Sequence, residues 1–70
     1  MSESERDIDV PLNVRAGVWA NEVRVFGDVE DVTLDFVRLE PDDLRRGIVV
    51  ARVTLPPSCI LMLKSELEGF

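Results

Sequence analysis

Three stretches, Arg15 to Phe26, Val32 to Leu39 and Ile48 to Leu55, are rich in β-branched and aromatic residues, largely in alternation with polar ones, and each predicts a strand. GDVED, between the first two, has the length and composition of a hairpin loop. EPDDLRRG, bounded by Pro41 and Gly47, predicts a longer loop before the third. After Leu55 the period lengthens, and PPSCILMLKSELEGF reads as a C-terminal helix with Pro57 in its first position and Gly69 at its end. The expected fold is α+β: a three-stranded antiparallel β-meander (β-β-β-α) with the helix packed on one face. Residues 1–13, MSESERDIDVPLN, are polar and net acidic and read as a tail, its first nine residues disordered. Ile8, Val10 and Leu12 alternate within that tail and could lie along an edge. Residues 14–70 form the single domain.

Register can be tested on sequence, because a slip of one residue turns every side chain to the wrong face. Val25 opposite Val32 and Val23 opposite Leu34 suit the first pair of strands. Leu39 opposite Ile48, Phe36 opposite Ala51 and Leu34 opposite Val53 suit the second. One face then carries Val23, Val25, Val32, Leu34, Phe36, Val49, Ala51, Val53 and Leu55, a core face. On a helical wheel Cys59, Ile60, Leu63, Leu67 and Phe70 share an arc about 100° wide that would cover it. The other face divides: Glu22, Arg24, Asp35, Arg52, Thr33 and Thr54 gather at one end, and Val18, Ala20, Val37, Leu39, Ile48 and Val50 at the other. An apolar patch of that size on a small domain predicts a buried contact. Leu61 and Met62, outside the core arc, add to it.

Size sharpens this expectation. A chain of 70 residues buries only roughly 60% of the surface its unfolded form exposes. The resulting core supplies about 3–5 kcal/mol, so such domains lean on disulfides, a metal or a partner. With one cysteine, Cys59, and no histidine, neither an internal disulfide nor a usual zinc ligand set can be assembled. Oligomerisation remains. Eight basic against fourteen acidic side chains give a net charge of -6, which repels nucleic acid and anionic membrane. The apolar runs fall far short of the ~20 residues that span a bilayer, and no basic-then-apolar leader opens the sequence, so a cytoplasmic location is expected.

VWANEVRV, LDF, VVARVTL and the proline-started helix with Leu63 and Leu67 resemble, in order from Val14 to Leu67, the small bacterial and archaeal family catalogued as domain of unknown function 3467. That family typically reads tyrosine-Ala-Asn, Leu-Asp-Phe, Ala-Arg-Val and a Ser-Pro helix start. Trp19 stands here in place of the tyrosine and Pro56 in place of the capping serine, a loss of about 1 kcal/mol unless Thr54 or Ser58 substitutes. The resemblance implies the β-β-β-α order and no reaction.

Chemistry-bearing residues are few. Asp28, Glu30 and Asp31 fall in the first hairpin loop, where Asp bonds nearby amides, and their spacing lacks the calcium-loop pattern. Asp35 is expected between Glu22 and Arg52, as a cross-strand ion pair with Arg52. Glu22 and Asp35 could split their pKa values as an acid/base pair, but Arg24 and Arg52 would keep both ionised. Cys59, on the apolar arc, reads as an inert core thiol. Trp19 falls across from Arg38, where it would stack, or else anchors an interface. Asn21 interrupts the apolar face opposite Phe36 and predicts a β-bulge whose side chain satisfies freed backbone groups. The expectation is therefore a small non-enzymatic protein-protein interaction module, without cofactor, metal or small-molecule substrate, working as a homo-oligomer or accessory subunit. Its interface would comprise Val18, Trp19, Ala20, Val37, Leu39, Ile48, Val50, Leu61 and Met62. The alternative is a holdase resembling the SecB export chaperone, offering apolar grooves to unfolded chains.

Overall fold

The computed structural model describes residues 6–70. Its elements are α1 (Leu12–Arg15), β1 (Glu22–Gly27), β2 (Val32–Glu40), β3 (Asp43–Leu55) and α2 (Pro57–Glu68). The strands form one antiparallel sheet in the order β1-β2-β3, so the β-β-β-α fold stands as expected. The predicted tail lies partly outside the described residues, and the boundary at residue 13 falls inside α1.

The first strand is shorter than expected. Arg15 to Asn21 leave the sheet, with Gly17 at a φ of 73°. In the observed register a strand reaching back to Arg15 would need β2 to run four residues past Glu40, but the chain turns there at Pro41–Asp42. With no partner backbone the segment cannot be strand, whatever its side chains prefer. Ile8, Val10, Leu12 and Val14 are all exposed.

The hairpin between β1 and β2 is tighter than predicted. Val25 faces Leu34 and Val23 faces Phe36, a slip of two residues that preserves every face. Pairing continues to Gly27–Val32, leaving Asp28 to Asp31 as the loop. Asp28 N–H donates to the Asp31 carbonyl at 2.9 Å, and Asp28 Oδ1 accepts from the amides of Glu30 at 2.9 Å and Asp31 at 3.2 Å.

Between β2 and β3 the expected pairs Phe36–Ala51 and Leu34–Val53 are present, but Val37 faces Val49, so Val50 is an extra residue and β3 bulges. The bulge exchanges two faces. Val49 joins the face of Asp35 and Val37, and Ile48, opposite Arg38, joins that of Leu34 and Phe36, the reverse of the expectation for both. The longer loop is also corrected: β3 begins at Asp43, and Gly47 lies within it opposite Leu39. A side chain at Gly47 would have its Cβ 2.9 Å from Leu39 Cδ2 and 3.1 Å from the Arg38 carbonyl, so glycine there permits a close approach.

α2 lies over the face of Val25 and Leu34. Pro56 and Pro57 start it, and no side chain caps it; Thr54 instead hydrogen-bonds Thr33 across the sheet at 3.0 Å. Only part of the expected arc docks. Cys59 and Ile60 are half-buried, Leu67 is exposed, and Phe70 lies past the helix end, fully exposed rather than in the core. An open groove of about 370 Å³, walled by Val25, Leu34, Ile60, Leu63 and Leu67, separates helix from β1.

Candidate functional site

The face away from α2 is concave. Its floor is the odd-numbered row of β2, Asp35, Val37 and Leu39; β1 supplies Glu22, Arg24 and Phe26, and β3 supplies Leu44, Arg45 and Val49 around a hollow of about 700 Å³. The hollow exists because β3 departs from β2 between Gly47 and Asp43: Leu39 pairs with Gly47 and Glu40 with Asp43, so three residues of β3, Leu44 to Arg46, have no partner there.

Asp35 is the one buried charged residue among those described, 6% exposed. It lies opposite Arg24 on β1 and Arg52 on β3, which corrects the placement between Glu22 and Arg52. The Arg52 fork is bidentate, Nε donating to Oδ1 at 2.6 Å and Nη2 to Oδ2 at 2.8 Å. The guanidinium also stacks 5.7 Å from the centroid of Phe26. The hydrogen bonds from Arg52, assisted by the charges of Arg52 and Arg24, hold the Asp35 carboxyl below its ordinary range against desolvation, and the Arg52 pKa is raised in turn. A carboxylate locked ionised is a fixed acceptor rather than a proton shuttle at neutral pH. Glu22 lies opposite Val37, diagonal to Asp35, so the two acids do not face one another as an acid/base pair requires.

A pH dependence follows. Because the folded pKa of Asp35 lies below its ordinary 3.8, the stability it contributes is complete above that value and is lost as the pH falls beneath it. Asp35→Asn is expected to lower the melting temperature at neutral pH, with the gap to wild type closing on acidification below 3.8. Asp28, lowered by the amides of Glu30 and Asp31, acts in the same sense, so the substitution flattens the acid limb without abolishing it. Thermal melts across the acid range check this, and a gap that persists unchanged below 3.8 would contradict it.

The expected interface residues do not form one patch. Val18, Trp19 and Ala20 lie off the sheet, Trp19 64% exposed. Among the described residues the cation–aromatic contact belongs to Arg52 and Phe26, not to Arg38 and Trp19. Val37 is 7% exposed and so belongs to the core rather than to a free surface. Ile48 is on the helix side; Leu39 and Val50 are half-buried; Leu61 and Met62 are exposed on α2. Asn21 does satisfy freed backbone: its N–H donates to the Val37 carbonyl at 2.9 Å and its Oδ1 accepts from Leu39 N–H at 2.8 Å. With Glu22 also paired to Val37, two residues oppose one, next to Val37 rather than Phe36.

Phe26, Leu44 and Arg45 were not singled out from the sequence. Phe26 shares the parity of Arg24, which was the available signal; Leu44 and Arg45 sit in a stretch without alternation, which gave none. No group of three or more potential ligands close enough to hold a metal ion occurs among the described residues, and no described helix is long and apolar enough to cross a membrane. The chain matches no family model, no curated protein and no solved structure with which it was compared.

Proposed function

We propose that this chain is a small non-enzymatic protein-protein interaction module of the cytoplasm that works as a homo-oligomer, with the likeness to domain of unknown function 3467 part of the same reading. The observation behind it is the poverty of the core. Among the described residues only Leu34 and Val37 are buried hydrophobics. The chain exposes 6440 Å², where a globular monomer of 7.9 kDa would expose about 4,400 Å². Its radius of gyration is 14.9 Å against about 11 Å for a compact chain of this length. Part of the excess lies on the extended segment from Arg6 to Pro11, and the rest, on the sheet and α2, is surface that a partner would cover. A domain this open lacks the apolar burial to offset its own chain entropy, and a second chain supplies it.

Light scattering after gel filtration tests the reading. The expected mass at micromolar concentration is a multiple of 7.9 kDa, with a melting temperature that rises with concentration. A monomer that melts cooperatively, independently of concentration, would overturn it.

A further inference from the structure

The two edges of the sheet differ. β3 is blunted in the ways natural edges are: it bulges at Val50, loses its ladder between Gly47 and Asp43, and carries Arg45, Arg46 and Arg52. β1 has no proline and pairs without a register shift from Glu22 to Gly27, its irregularities confined to its two ends, the Asn21–Glu22 bulge and the positive φ of Gly27. Asp28 N–H donates to Asp31, so by the two-residue alternation of an antiparallel ladder the amides of Phe26 and Arg24 face β2 and those of Val23 and Val25 face the free edge. Val23 and Val25 are 54% and 62% exposed, and Val25 lines the open groove under α2. On the opposite face Glu22 and Arg24 make no ion pair among the described residues.

We propose that β1 pairs antiparallel with β1 of a second copy, with Val23 at the two-fold axis, joining two sheets into one of six strands; this rests on the homo-oligomer reading above. In such a pair, residues directly opposite share a face, so the axis must fall at a residue and not between two. Three residues are available near the strand centre. An axis at Arg24 sets two guanidiniums opposite one another. An axis at Val25 sets Glu22 of each copy against Asp28 of the other. An axis at Val23 sets Glu22 of each copy opposite Arg24 of the other, two complementary pairs. Hydrogen bonds at an exposed edge replace bonds to water and net little, so charge selects the register. The join sets Val23 against Val23 on the helix side with Val25 of each copy opposite Asn21 of the other, so the ladder within the two strands runs from Glu22 to Arg24.

Disulfide trapping in the full chain tests it, with Cys59→Ser as background and Val23→Cys, Arg24→Cys and Val25→Cys introduced singly. Val23 faces its own copy in a hydrogen-bonded pair, with Cα atoms about 5.5 Å apart, within the range of a disulfide. The two copies of Val25 would be about 14 Å apart, four residues along the strand. Cross-linking is expected at Val23→Cys and not at the other two. Glu22→Arg is expected to weaken the dimer about tenfold or more, and adding Arg24→Glu to restore it, with circular dichroism confirming that each variant folds. A dimer cross-linked best at position 24 or 25 overturns the register. A dimer cross-linked at none of the three overturns the edge itself while leaving the oligomer reading intact, and a monomeric wild type removes both.

Discussion

Val37→Asp is expected to unfold the chain rather than to dissociate it. Val37 is 7% exposed, between Glu22 on β1 and Val49 on β3, and a Cβ placed on Gly47 would lie only 3.0 Å from its Cγ1. A carboxylate there would lose much of its hydration and add to the negative charge of Glu22 and Asp35, which line the same hollow. An unpaired buried charge costs several kcal/mol, comparable to the about 3–5 kcal/mol that a core of this size supplies. The expected result is a far-UV spectrum without strand signal at any temperature. Ile48→Asp, on an exposed residue opposite Arg38, should keep the fold to within about 0.5 kcal/mol. If Val37 lay in a solvent-facing patch the two substitutions would behave alike, both folded, so circular dichroism of the pair separates the placements.

The contrast between those residues marks where sequence ceases to define structure. Thr33, Leu34, Asp35 and Phe36 alternate polar and apolar, so the two faces of β2 were legible, as were its pairs with Ala51 and Val53. Pro57 fixed the helix start for a reason of backbone chemistry alone. GIVVA, by contrast, is apolar throughout: with no polar residue to mark the period, an extra residue at Val50 leaves no trace, and Ile48 and Val49 exchange faces unseen. Val18, Trp19 and Ala20 have strand-like side chains, yet a strand needs a partner backbone, and β2 ends at Glu40. Arg45 and Arg46 suggested a loop, whereas an edge strand with both sides in water tolerates them. The hollow floored by Asp35 depends on the path of Leu44 to Arg46, which no local pattern encodes, while the Asp35–Arg52 pair followed from register alone.

Gly27→Ala is the second large effect expected, and it acts on the register from which every facial assignment derives. Gly27 has a φ of 132°, a region that residues with a Cβ rarely enter and that costs about 1–3 kcal/mol when they do. The added methyl would also run into the Asp31 carbonyl and come within 3.1 Å of Val32 Cα. Both are backbone atoms, so no rotamer relieves the contact. The Asp31 carbonyl is the acceptor that closes the loop, and displacing it loosens the amides held by Asp28. Strain and lost turn bonds together reach about 3 kcal/mol, which for a domain of this size lowers the melting temperature by roughly 10–20 °C. Gly17→Ala is the matched control, because Gly17 also has positive φ, 73°, but a Cβ there meets nothing within 4 Å. Its segment is outside the sheet and free to relax, so a shift of only a few degrees is expected. Equal losses at the two glycines would mean that the hairpin closes without the Gly27–Val32 pair, and Val25 would then not be fixed opposite Leu34.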